Sequence, residues 1–156
     1  MMGGIKVAEK QEPQVNIREM REGDIEGVLS IDRKITGQDR AMTYAAVPGS
    51  YLGGQLAMSV VAEVEGVIIG FLLGQMVELP YQTADIALVQ VIGVDPAHRR
   101  RRIGKSLVRA FMECCKKKGV DSVHVMVSVH DWWMLSFFRS MRFKHGEMVE
   151  FVKLLD

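Results

Sequence analysis

Val94-Asp95-Pro96-Ala97-His98-Arg99-Arg100-Arg101-Arg102-Ile103-Gly104-Lys105-Ser106-Leu107 is the stretch whose reading decides the fold. Residues 84–94 before it form a mostly apolar run, as expected of a strand buried on both faces. Asp95-Pro96 stops that strand, because proline has no N–H to give a ladder. After it, Ile103, Leu107, Ala110, Phe111 and Cys114 recur at spacings of three and four. That predicts a helix from about 103 to 118, with Gly119 at its C-terminal stop. The first N–H groups of a helix lack intrahelical partners, and the helix dipole adds positive potential there. A strand-to-helix junction is therefore an anion site, and the four arginines add charge to it. Gly104 lets an anion come close to the backbone. Gly104-Lys105-Ser106 is not a P-loop, since Arg99 stands where the upstream glycine belongs, and no Gly-x-Gly-x-x-Gly dinucleotide turn is present.

Outward from this junction the pattern is α/β. Residues 15–18 alternate as a short strand, and Asp24 is expected to cap a helix carrying Ile25, Val28, Leu29 and Ile31. The pattern weakens over 36–54, with a turn at Pro48-Gly49-Ser50. Residues 59–64 and 67–77 read as a hairpin about Glu65-Gly66, which Pro80 ends. Val123, Val125, Val127 and Val129 predict a strand over 122–129. Asp131 caps a helix with Trp132, Leu135 and Phe138, and 147–155 is expected to close the sheet. The reading is a flexible tail at 1–14 followed by a single mixed α/β domain at 15–156. There are no repeats and no low-complexity tracts.

Composition narrows the function classes. The chain has 156 residues, 48% hydrophobic and 25% charged, which suits one globular core and excludes disorder. The longest apolar stretch, 67–77, is interrupted by Gly70, Gly74 and Gln75 and is too short to span a bilayer. No signal-peptide apolar region stands at the N-terminus, and Cys114-Cys115 forms neither a disulfide framework nor a metal pattern, so a cytoplasmic setting is expected. Net charge is +1; setting aside Arg99 to Arg102 and Lys105 leaves 15 basic residues against 19 acidic. One basic block on a mildly acidic body is a footprint for a local anion. A pI of 7.8 argues against a nucleic-acid-binding domain.

The strand, the VDP turn, the basic loop and the helix together resemble the acetyl-CoA-binding segment of the GNAT N-acetyltransferase superfamily. That family's Gln/Arg-x-x-Gly-x-Gly/Ala motif falls on Arg99-Arg100-Arg101-Arg102-Ile103-Gly104. The resemblance runs over about 15–155 and includes the Glu65-Gly66 hairpin and Phe143. It implies a central twisted mixed sheet of about six to seven strands flanked by helices on both faces. It implies that Ile92, Gly93 and Val94 bond the pantetheine arm through their backbone. It further implies that Arg99, Arg100, Arg101, Arg102, Ile103, Gly104, Lys105 and Ser106 surround the diphosphate, and that Asp131 stands at the family's Asn position. The activity implied is acetyl transfer from acetyl-CoA to an amine of a small molecule or peptide, with no metal and no membrane partner. A homodimer is compatible with this reading.

The sequence departs from the family pattern in several places. Arg102 replaces the first motif glycine and is expected to keep φ negative, as a bulky residue should. Phe138 stands where the family has a proton-donating Tyr. Met126 stands where a subgroup acting on protein N-termini has Glu, and Arg142 replaces the Gly before Phe143. No general acid or base is singled out; Asp85, His130 and Asp131 are conceivable. These departures keep a catalytically weak CoA-binding regulatory module open as the alternative. Trp132, Trp133, Phe137 and Phe138 read as core and rim packing, and Cys114 as the apolar-face thiol. Tyr44, Tyr51 and Tyr81 lie in loops where a substrate pocket could form.

Overall fold

The computed structural model describes residues 13–37, 58–77 and 85–156. The expectations for 1–12, for 38–54 with its turn at Pro48, and for Tyr44, Tyr51 and Tyr81 lie outside the described residues. The chain divides into two compact units, Met1–Val125 and Met126–Asp156.

The first unit carries a five-stranded mixed sheet in sequence order: β1 (Asn16–Glu19), β2 (Val60–Val64), β3 (Val67–Val77), β4 (Ile86–Val94) and β5 (Ser122–Val125). The first three pairings are antiparallel and β4–β5 is parallel. The expected hairpin forms. Glu65 and Gly66 have φ of 49° and 80°, the doubly left-handed pair of a tight primed turn that matches strand twist.

Two bulges set which side chains face which helix. Ala62 pairs Gly70 and Glu63 pairs Ile68, so Ile69 is the extra residue in β3. Leu73 pairs Val91 and Gly74 pairs Val89, so Gln90 is the extra residue in β4. On one face Phe71, Leu73 and Val91 pack with Val28, Leu29 and Ile31 of α1 (Ile25–Thr36). On the other, Gly70 and Gly74 leave room for Ile103, Leu107 and Phe111 of α2 (Ile103–Lys117). Helices therefore cover both faces, as expected. α2 also makes the crossover between parallel β4 and β5, the connection such strands require.

Several details differ from the sequence reading. Asp24 precedes α1 but makes no side-chain cap. Its carboxylate instead accepts the Arg21 N–H and two 2.7 Å bonds from Arg18, because a guanidinium is the stronger partner. On α2 the buried thiol is Cys115, not Cys114: Ile103, Leu107 and Phe111 face inward as expected, joined by Val108 and Cys115 in place of Ala110 and Cys114. The strand expected to reach 129 ends at Val125, where its ladder with Val89 ends.

The second unit holds α3 (Trp132–Ser140). Asp131 caps it as expected, its Oδ1 accepting the Met134 N–H at 3.0 Å. Phe138 is buried and meets Phe137 and Phe143 edge to face, with centroids 5.0 and 5.1 Å apart. Trp132 and Trp133 do not pack as expected; they are 81% and 79% exposed. Arg142 takes φ 65°, the left-handed conformation a glycine adopts without strain, and the Phe143 N–H returns to the Phe138 carbonyl at 3.1 Å. Residues 147–155 form no strand, so the described sheet has five strands rather than six to seven. Their apolar residues come in pairs (Met148-Val149, Phe151-Val152, Leu154-Leu155), which do not alternate onto one face.

Candidate active site

The β4–β5 ladder covers only 86–89 of β4. From Val91 to Val94 the strand remains paired with β3 but has no strand partner on its far side among the described residues. Backbone N–H and C=O groups there can accept an extended ligand as a strand would. Ile92, Gly93 and Val94 form the end of this open edge. Gly93 is required for packing as well: a Cβ would approach Phe71 Cε1 to 2.8 Å and Ile35 Cδ1 to 2.9 Å.

Asp95 ends the strand. Its N–H bonds the Ile69 carbonyl at 2.8 Å, and its carbonyl accepts the His98 N–H at 2.8 Å, closing the 3-10 turn Pro96–His98. Oδ1 caps that turn through the Ala97 N–H at 3.0 Å, and Oδ2 takes Lys34 Nζ of α1 at 2.7 Å. The Lys34 ammonium and the Ala97 N–H hold the Asp95 carboxyl below its ordinary value.

The loop beyond is the unusual part. Arg100 and Arg102 have φ of 68° and 59°. The expectation that Arg102 keeps φ negative is overturned. The chain must reverse tightly between the turn and the helix, and the two left-handed residues provide that reversal. A side chain in this region costs about 1–2 kcal/mol per residue. Arg99 before these two residues is extended, and the step from left-handed Arg102 into the right-handed start of α2 is the kind that turns successive N–H groups toward one point. The Ser106 N–H is the first to return to α2's start, at the Arg102 carbonyl 3.1 Å away, and Ser106 Oγ bonds the same oxygen. The N–H groups of Ile103, Gly104 and Lys105 thus precede the helical ladder. Arg102 gives no side-chain cap, and the first turn of α2 contains no acid. Arg99 to Arg102 are exposed, with no carboxylate partner among the described residues. Backbone donors and the helix dipole meet at the start of α2, and four exposed arginines immediately precede it in sequence. The start of α2 is thus a concentration of positive potential beside the edge of β4 that lacks a strand partner among the described residues.

A family model described as the acetyltransferase (GNAT) family matches residues 29–143, most of the chain and all of this site. The chain belongs to the GNAT family. Among curated proteins, N-acetyltransferase family 8 member 3 of Rattus norvegicus is 28% identical over 104 residues, 66% of this chain. The chain spans 46% of that relative's length. Among solved structures, an aminoglycoside acetyltransferase from an uncultured soil metagenomic sample, in complex with trehalose, is 23% identical with a TM-score of 0.69. It covers 91% of this chain and 97% of its own. AAC(6')-Iy in complex with the bisubstrate analogue CoA-S-monomethyl-acetylneamine is 19% identical with a TM-score of 0.72, over 92% and 99% of the two chains. At these identities the likeness is one of fold.

Against the GNAT pattern, the residues from Ile92 to Ser106 lie on one continuous strand, loop and helix. Asp131 belongs to the second unit, where its carboxylate is engaged as a cap. Phe138 has no hydroxyl, and Met126, 84% exposed, has only a thioether, so neither transfers a proton. Asp85 and His130 are both exposed. Lys34 and the bulge at Gln90 were not found from sequence. Lys34 carries no signal beyond being a basic residue in the last turn of a helix. No group of three or more His, Cys, Asp or Glu among the described residues could hold a metal, and none of their helices is long and apolar enough to cross a membrane.

Proposed function

We propose that the chain is an acetyl-CoA-dependent N-acetyltransferase that moves the acetyl group directly to a primary amine. The single observation that carries this reading is the pair of left-handed arginines leading into an uncapped, acid-free helix start beside the open edge of β4. That combination fits a ligand with a diphosphate at one end and an extended amide arm at the other. CoA has that form, and the donor set of backbone N–H groups with guanidinium groups suits its phosphates.

In this reading the open edge of β4 orients the arm through Ile92 to Val94, and the amides from Arg100 to Lys105 hold the diphosphate. The amine nitrogen attacks the thioester carbon, a C–N bond forms, the C–S bond breaks, and sulfur leaves with the electron pair. The leaving thiol resembles cysteine, with a pKa near ~8.5, so it departs largely as the anion. Absence of a Tyr hydroxyl at Phe138 therefore lowers the rate by ~10²–10⁴-fold rather than abolishing it. The attacking amine must be neutral, and its proton leaves through water or an acceptor-side base. Proximity of the two substrates supplies most of the acceleration.

The same observation at Phe138, with Met126, favours a second reading in which the site binds CoA and turns over little. One experiment separates the two. Acetyl-CoA should raise the melting temperature by mass action, and thiol release should then be followed with acetyl-CoA and a panel of amines that includes aminoglycosides and peptides. Stabilisation with release supports the transferase; stabilisation without release for any amine supports the binding module. No thermal shift at millimolar acetyl-CoA overturns both.

A further inference from the structure

We propose that Lys34 is a positioning residue for the diphosphate loop, acting through its ion pair with Asp95. The inference rests on the CoA-binding reading above and deepens it.

All four polar groups of Asp95 are committed. The N–H goes to Ile69 of β3, the carbonyl to His98, Oδ1 to Ala97 and Oδ2 to Lys34. The first is a bond within the sheet, and the next two are local to the turn. Among the described residues, only the 2.7 Å bond to Lys34 ties Asp95 to a helix, the last turn of α1. That turn is already held close to β4, because bare Gly93 admits Ile35 against the strand. Ile35 and Lys34 are successive residues, one gripping the strand end and the other the turn that follows it.

The position is sensitive. Four residues separate Asp95 from Arg100, the first of the left-handed pair. A loop that keeps two arginines in a strained conformation holds it only where neighbouring contacts over-determine the backbone. The Asp95 turn is its fixed end on the strand side, and Lys34 fixes the orientation of that turn about the strand axis. Asp95 is buried, whereas the Lys34 side chain is 54% exposed. Removing the ammonium therefore leaves the carboxylate without its only partner outside the sheet and its own turn. His98, which closes the turn, contains a buried Nδ1 with no hydrogen-bond partner among the described residues. That nitrogen adds nothing to holding the turn, which is tied to the sheet through the Ile69 carbonyl and to α1 through Lys34.

Calorimetric titration of the full chain with CoA tests the proposal, on the parent, Lys34→Gln, Lys34→Arg, Asp95→Asn and the double variant Lys34→Gln/Asp95→Asn. Asp95→Asn keeps an oxygen for the Ala97 N–H and loses only the charge that attracts Lys34. Expected are a roughly tenfold weaker Kd for Lys34→Gln and for Asp95→Asn, no further loss in the double variant, and recovery to within about twofold by Lys34→Arg. Thermal unfolding without ligand should place Lys34→Gln and Lys34→Arg close together, so that binding and stability separate. If the parent binds CoA and both single variants bind within twofold of it, the positioning role is overturned while the CoA site stands. Additive losses in the double variant, or a loss shared by Lys34→Arg, also overturn it. A parent that does not bind CoA overturns the CoA reading itself, and this inference with it.

Discussion

Phe111 of α2 lies so close over Gly74 of β3 that no Cβ fits between the strand and the ring. Phe111 is fully buried, so its ring has nowhere to swing. The Gly74 N–H also donates to Ser59 Oγ at 3.2 Å, fixing the strand beneath it. Gly74→Ala is therefore expected to destabilise by about 1–3 kcal/mol through overpacking, a fall in Tm of roughly 2–12 °C for a chain of this size. Thermal unfolding measures it, and an unchanged Tm would mean that α2 sits further from the sheet than described.

Arg102 lies in the left-handed region with φ 59°. Arg102→Gly removes about 1–2 kcal/mol of conformational strain and adds about 0.5–1 kcal/mol of unfolded-state freedom. A small net gain in stability is expected. CoA affinity should fall modestly, because one charge leaves the site. Arg102→Ala keeps the strain and should show the affinity loss without the stability gain. Unfolding and titration on the same preparations read the two opposite signs.

Gly104 is the second residue of α2, within the turn whose N–H groups face the proposed diphosphate. A branched side chain there intrudes on the anion, so Gly104→Val should weaken CoA binding by more than tenfold, well beyond Arg102→Gly. Binding equal to the parent's would remove the diphosphate from this loop.

Arg18 bonds both Asp24 oxygens at 2.7 Å and Glu63 Oε2 at 3.0 Å. The guanidinium holds the Asp24 carboxyl below its ordinary value of 3.8, and Glu63 likewise below 4.5. Both carboxyls are depressed in the folded state, so their stabilisation is complete above the ordinary carboxylate values. It is lost as pH falls below about 4, through the folded values. Urea unfolding between pH 7 and pH 2.5 should show this loss. Arg18→Met should flatten the acid limb and, at pH 7, destabilise by about 2–3 kcal/mol because Asp24 is left buried without its partner. A variant with the parent's acid limb would exclude this network as its cause.

Much of the fold is legible in sequence because its signals are local. Residues 67–77 have strand-length apolarity, Glu65-Gly66 supplies the left-handed pair a hairpin needs, and the spacing from Ile103 onward is helical. The anion site is legible too, since a strand, a Pro turn, a basic run and a helix start follow one another without a break. The errors arose where local patterns compete with partners elsewhere in the chain. Asp24 has the residue type of a cap, but Arg18 outcompetes a backbone N–H for its carboxylate. Val127 and Val129 continue the alternation of β5, yet a strand extends only as far as its neighbour's ladder, which ends at Val89. Periodicity found Ile103, Leu107 and Phe111 on α2's face but put its edge at Cys114, because both thiols suit an apolar stripe and only packing against the sheet selects Cys115.

The sequence by itself determined the order of the described elements from β1 to α3, the hairpin, the helix start at Ile103 and the concentration of charge before it, each a property of neighbouring residues. Only the tertiary structure decided the bulges at Ile69 and Gln90, the left-handed backbone at Arg100 and Arg102, and the bond from Lys34 to Asp95. Those depend on the register between strands and on contacts between residues as much as 61 positions apart. Register follows from the whole ladder, and a positive φ on arginine runs against its own preference. It is held only because β4, the Asp95 turn and α2 leave the loop no other path.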